Sequence, residues 1–232
     1  MPITPRMFGE RGRRRARSLG IDPARLPPGQ SPTVKWPVLS IEETPRIPAA
    51  QWTLTVDGAV REPFTLDWAA LRAQPHVDWE GDIHCVTRWS KFGMRWRGPA
   101  VAALLQRAGL TDGAGFLLAE SHGGYTTNLP LSDVIDHPAL VAVEAEGAPL
   151  EPEHGGPLRL FVPHLYFWKS AKWLTRLRVL EHDELGFWER NGYHHRGDPW
   201  SQERHSVDDY VARAMRREAR AAGAGGLRGD RS

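Results

Sequence analysis

The sequence predicts a mixed, β-rich α+β domain with short helices. Three observations carry this reading. Apolar residues alternate with period two in several short runs. The helical patterns between those runs are brief and never repeat at βαβ length. No composition break divides the interior, so residues 36–205 read as one folded body. Residues 1–35 form an N-terminal arm before it, and residues 206–232 a C-terminal helix and tail after it.

The elements follow in order. Residues 1–35 carry arginine, glycine and proline with little periodicity, including Leu26-Pro27-Pro28-Gly29, and are expected to run as an extended arm. Trp52, Leu54 and Val56 alternate ahead of Asp57-Gly58, a hairpin signature. Asp67 to Ala73 is a short helix stopped before Pro75. Val77, Trp79, Ile83 and Cys85 fall at odd positions over His76–Thr87, which reads as a strand, or as a strand interrupted at Gly81, whose end presents Cys85. Pro99 is placed at the first position of a helix that runs through Val101–Leu105 and stops at Gly109. Phe116–Glu120, Leu140–Val143, Leu158–Val162 and Thr175–Leu180 are strands, and Lys169–Trp173 one helical turn. A last helix begins at Ser206, with Asp209 three residues on and an apolar stripe of Val207, Val211, Ala214 and Met215.

Composition narrows the function. A chain of 232 residues buries roughly 70% of its unfolded surface, enough for a core without staples. Its single cysteine excludes an intramolecular disulfide, a cysteine-only zinc site and an iron–sulfur cluster held by its own thiolates. That cysteine usage suits a reducing compartment. No apolar run approaches the roughly 20 residues of a membrane span. No apolar stretch follows the Arg11–Arg17 cluster, so a cytoplasmic location is expected. A net charge of +2 gives no field for steering nucleic acid. The arginine-rich ends are expected to be solvated tails, with a docking patch for an acidic partner as the alternative. Ten tryptophans flank the polar motifs, as aromatic walls around a cofactor would, although such residues also fill cores.

Two windows hold the chemistry. In Gly81-Asp82-Ile83-His84-Cys85-Val86-Thr87-Arg88-Trp89-Ser90, a lone cysteine sits among polar neighbours. Arg88 or a protonated His84 favours its thiolate, the soft ligand that thiophilic metals select. A buried small hydrophobe is the plainer reading of such a cysteine. In Glu153-His154-Gly155-Gly156-Pro157-Leu158-Arg159, then Lys169-Ser170-Ala171-Lys172-Trp173, two cations flank an apolar strand beside a hydroxyl and a potential helix N-terminus. Those are the donors that a phosphate needs, and exposed surface charge is the alternative.

Taken together, the windows resemble the molybdopterin-binding catalytic domain of the sulfite oxidase family. The likeness is greatest to its haem-free bacterial members, including the catalytic subunit of protein-methionine-sulfoxide reductase, and spans residues 36–182. The resemblance implies a molybdenum-molybdopterin cofactor with Cys85 as the sole protein ligand of the metal. It implies that Arg159 and Lys172 neutralise the pterin phosphate, with Lys169, Ser170 and the Ala171 backbone completing the cradle. His154 and Ser121 would contact the cofactor, and so would the loop at Trp36–Leu39. Arg88, His84 and Trp89 are expected to line the reactive face, Arg88 holding an anionic substrate and His84 moving protons.

The chain lacks the run of arginines that follows the cysteine in sulfite oxidases, and no dimerisation or cytochrome segment is recognisable. It is therefore expected to act as a monomer on a small sulfoxide, oxo-acid or similar substrate, by oxygen-atom or electron transfer, with a separate redox protein or small electron carrier. The segment Asn191–Trp200 could close over the pocket, or could simply tie down the last helix. The rivals are a zinc hydrolase built on His84, Cys85 and a later histidine, and a non-catalytic pterin carrier that would not need Cys85.

Overall fold

The computed structural model describes residues 5–206. In chain order these form α1 (Pro5–Ser18), β1 (Ser31–Pro32), β2 (Thr53–Gly58), β3 (Phe64–Asp67), α2 (Trp68–Arg72), β4 (His76–His84) and β5 (Trp89–Pro99). Then come α3 (Val101–Ala108), β6 (Phe116–Ser121), β7 (Thr126–Pro130), α4 (Ser132–Ile135), β8 (Leu140–Ala142), β9 (Glu144–Ala145) and β10 (Ala148–Pro149). β11 (Arg159–Phe161), β12 (Leu174–Leu180) and α5 (Phe187–Arg190) complete the described fold. The architecture is α+β, as the period-two runs predict.

Two five-stranded sheets share the strands with one two-stranded ladder. The first sheet runs β3-β2-β12-β6-β7, with β12 parallel to β2 and antiparallel to β6. The second is built on the long β4–β5 hairpin, extended by β1, β9 and β10. β8 and β11 pair antiparallel, setting Arg159 opposite Ala142. Leu54, Val56, Leu117, Leu177 and Val179 alternate inward from the first sheet against Leu104 and Leu105 of α3. A second cluster gathers Ile83, Met94, Trp96 and Phe161 on the other sheet, with Trp96 stacked on Phe161 at 4.2 Å. Burying each such aromatic or aliphatic side chain contributes roughly 1.5–3 kcal/mol.

Several local expectations change. The N-terminal segment contains a helix, α1, where an extended arm was expected. Among its described side chains the buried ones are Gly12 and Ala16, which carry no apolar bulk for a periodicity argument to register. The small residues let the helix lie close: a side chain at Gly12 would come within 2.2 Å of the Gln30 carbonyl oxygen. Pro99 closes β5 instead of opening α3, whose N-cap is Ala100. Lys169–Trp173 is not a helical turn; the turn falls earlier, at Phe167–Lys169, and the backbone then extends. The β2–β3 connection is longer than the two-residue turn that Asp57-Gly58 suggests. The helix expected from Ser206 lies outside the described residues.

Candidate active site

The β4–β5 hairpin delivers the cysteine. Its register shifts between Gly81 and Ile83, so the strand kinks before it ends. Cys85 opens the turn, donating its N–H to the Trp89 carbonyl at 2.8 Å and accepting from the Arg88 N–H at 2.9 Å. Arg88 takes a left-handed φ of 78° there. Two distant side chains hold this turn from outside. Gln30 Nε2 donates to the Cys85 carbonyl at 3.0 Å, and Arg204 Nη1 to that of Val86 at 2.5 Å. The Cys85 thiol lies 3.1 Å from the Thr87 hydroxyl, and burial pushes its pKa up.

The opposite wall comes from the loop that leaves β11 and folds back on it. The Leu160 N–H donates to the Ala171 carbonyl at 2.8 Å, and Ser170 Oγ accepts from the Val162 N–H at 2.9 Å. Gly155, at φ 102°, lies against Lys172: an added Cβ would come within 3.0 Å of the lysine's own. A glycine is required there on both counts.

Between these walls is a cavity of about 290 Å³. Cys85 and Trp89 line it together with His154, Arg159, Ser170, Ala171 and Lys172. Trp36, Pro37 and Leu39 line it too, with Trp36 stacked on His154 at 3.7 Å. Arg159 is 1% exposed. Its guanidinium donates to the carbonyls of His154 at 2.7 Å and Ser170 at 2.5 Å, and lies 4.2 Å from the Phe167 ring centre. Lys172 Nζ donates to the Glu153 carbonyl at 2.6 Å.

Among the described residues neither cation has a carboxylate within ion-pair distance; Glu42, which also lines the cavity, accepts from the Tyr125 N–H at 2.7 Å. Burial and then repulsion from Arg159 push the Lys172 pKa down to about 7. Burial lowers Arg159 to about 9, so the guanidinium stays charged at neutral pH. Burial and both cations keep His154 neutral, with its pKa at about 4.

Four residues expected at the site stand elsewhere. His84 points to the other side of β4, where Nδ1 lies 2.8 Å from Ser90 Oγ and burial drops its pKa to about 4. Arg88 is exposed, its guanidinium over Gly29. Ser121 lies behind the wall and donates to the Lys172 carbonyl at 2.6 Å. Lys169 is fully buried and paired with Glu189 at 2.6 Å; it also donates to the Asn128 carbonyl at 2.7 Å and to the His195 carbonyl. Thr87, Glu42, Tyr125, Phe167, Trp168, Trp188 and Tyr193 are lining residues that the sequence reading did not single out. Of these, Thr87 had a signal in its place beside Cys85 among the polar neighbours, and Tyr193 in its place in the aromatic, turn-rich Asn191–Trp200 segment.

A pair of cations held away from bulk water, Arg159 buried and Lys172 half-buried, is costly without counter-charge unless an anion joins it. Trp89 adds an indole N–H that is buried without a partner. A thiol, two such cations and an aromatic wall around one cavity therefore fit an anionic cofactor that also carries a thiophilic metal. This defines a cofactor-holding redox domain. Residues 41–188 match the oxidoreductase molybdopterin binding domain, and the chain belongs to that family. It is a molybdopterin-dependent oxidoreductase of the sulfite oxidase type.

The chain is 43% identical over 185 residues to the uncharacterized oxidoreductase YuiH of Bacillus subtilis (strain 168), covering 79% of this chain and 93% of that protein. It is 30% identical over 157 residues to the protein-methionine-sulfoxide reductase catalytic subunit MsrP of Gluconobacter oxydans (strain 621H), covering 60% of this chain and 50% of that one. The sulfane dehydrogenase SoxCD of Paracoccus pantotrophus shares the fold with a TM-score of 0.57 at 21% identity, over 64% of this chain and 42% of that one. Among the described residues no helix is long and apolar enough to cross a membrane.

Proposed function

We propose that residues 36–205 form the catalytic body of a molybdenum-molybdopterin enzyme that reduces a small sulfoxide, with Cys85 as the metal's protein ligand. Arg159 and Lys172 pair with the pterin phosphate, Ser170 and the Ala171 backbone border it, and neutral His154 hydrogen-bonds the pterin. The supporting observation is that one cavity is lined both by Cys85 and by the two cations that have no carboxylate partner.

The cofactor supplies the two-electron chemistry. The protein's part is to hold it, to shape the pocket and to exclude water with Trp36, Trp89 and Phe167. Sulfoxide is favoured over an anionic oxo-acid because Arg88 and His84 do not line this cavity, which among the described residues leaves no cation beyond the phosphate pair to hold an anion. The name of the Gluconobacter relative points the same way. Reduction of a sulfoxide to a thioether and water takes two electrons and two protons. A separate redox protein or small carrier provides the electrons to a monomer in the cytoplasm.

The test is Cys85→Ser, assayed with a reduced viologen dye and a methyl sulfoxide. Turnover falls at least about 10³-fold while pterin fluorescence after acid oxidation persists. A variant that keeps full turnover places the chemistry at another site, and a parent protein that holds pterin but turns over no sulfoxide favours the carrier reading. Stoichiometric zinc without pterin favours the hydrolase.

A further inference from the structure

Away from the cavity, three ligand-type side chains meet beside α4: Asp133, His137 and His164, with one ligand atom from each within 4.8 Å of the others. We propose that these residues bind a divalent transition-metal ion of the zinc class, at a site distinct from the pterin cavity. None of the three lines that cavity.

The argument begins with spacing. His164 Nε2 lies 3.0 Å from Asp133 Oδ1. Bonds of about 2.0–2.1 Å to a tetrahedral zinc place neighbouring ligand atoms roughly 3.3 Å apart. Two of the three ligands are therefore already set at close to the coordination edge. The third needs only a side-chain rotation. The His137 ring packs against that of His164, with centroids 4.4 Å apart and planes 27° from parallel. It is exposed and makes no hydrogen bond among the described residues, so little opposes its turning.

Chemistry selects the ion. Two imidazoles and one carboxylate suit zinc, copper or nickel, whereas magnesium and calcium prefer an all-oxygen shell. Asp133 is 2% exposed and ionised, its pKa held at about 2 because hydrogen bonds from His164 and Arg196 outweigh burial. The second nitrogen of His164, Nδ1, is buried without a partner and can carry the ring proton once Nε2 binds metal.

Arg196 already holds the same carboxylate, through Nη2 at 2.9 Å and Nε at 3.1 Å. Metal and guanidinium therefore compete for Asp133. Arg196 belongs to the segment that brings Tyr193 to the cavity wall. Metal occupancy thus loosens one of that segment's anchors, which links this site to the cavity without sharing a residue with it.

The test uses the purified holoenzyme, with Zn²⁺ followed by titration calorimetry and Co²⁺ by its visible absorption. One ion binds per chain. His137→Ala, an exposed substitution with little risk to folding, weakens binding at least about 10-fold, and so does His164→Ala. Arg196→Gln tightens it about 3-fold or more, because the competing cation is gone. Absence of saturable binding up to about 1 mM metal, or affinity unchanged in both histidine variants, overturns the proposal.

Discussion

Lys169 and Lys172 leave one loop in opposite directions, and they meet opposite fates. Lys169 turns into the core, where Glu189 answers its charge and Asn128 Oδ1 accepts a further hydrogen bond. Lys172 turns to the cavity beside Arg159, and among the described residues carbonyl oxygens and aromatic rings, but no carboxylate in ion-pair reach, answer the two cations. The division follows from the backbone. A single tight turn ends at Lys169, and the chain then extends through Ser170 to Trp173, whose φ of 51° marks a strained bend. The difference teaches how to read a cation held away from bulk water. One whose partner is a buried carboxylate holds the fold together; one left with neutral acceptors beside a cavity awaits an anion.

The sharpest way to break this comparison is Lys169→Met, which strands a fully buried Glu189 carboxylate. Removing one partner of such a pair costs about 3–5 kcal/mol, read as a lower urea midpoint. Pairing it with Glu189→Leu should recover most of the loss. An unchanged midpoint in the single variant would mean that Lys169 is not the structural cation.

Arg159→Met should do the reverse. Molybdenum per chain falls about 100-fold in apparent affinity, roughly 2.7 kcal/mol, while the cofactor-free urea midpoint moves less than in Lys169→Met because no buried counter-ion is orphaned. Full metal content by elemental analysis would locate the phosphate cradle elsewhere.

Acidity sharpens the comparison further. Burial and Arg159 depress the Lys172 pKa from 10.5 to about 7 in the folded, cofactor-free protein. Between those values the unfolded chain binds more protons than the folded one, so stability rises with pH across that window. Below about pH 7 both states carry the proton and the penalty is present in full. Lys172→Met removes the slope that this residue contributes. Urea midpoints at pH 6.5, 8 and 9.5, planned as about evenly spaced points on that window, should climb in the parent protein more than in the variant.

The smallest effect is expected at Ser121, whose hydroxyl supports the Lys172 carbonyl. Ser121→Ala should cost about 1 kcal/mol and leave molybdenum content nearly unchanged. A severe loss of cofactor would move Ser121 from the supporting wall into the site itself.

The strands were legible wherever one face is buried. Phe116–Ser121 and Leu174–Leu180 alternate because one sheet packs on α3, and their boundaries differ by one residue from the expectation. α1 left no comparable signal: the buried residues among its described side chains, Gly12 and Ala16, are small. Strand β5 was also unread: glycines and arginines break its pattern, and pairing with β4 defines it.

Sequence by itself determined the reactive groups: one soft thiol, a pair of cations around an apolar strand, and aromatic residues in number. Side-chain chemistry is a local property, so composition and motif order can report it. Tertiary structure alone decided which cation faces the cavity and which the core, that Arg88 points outward, and that the thiol sits in a hairpin turn clamped by Gln30 and Arg204. Side-chain direction depends on strand register and on contacts between residues far apart in the chain, which the local pattern does not encode.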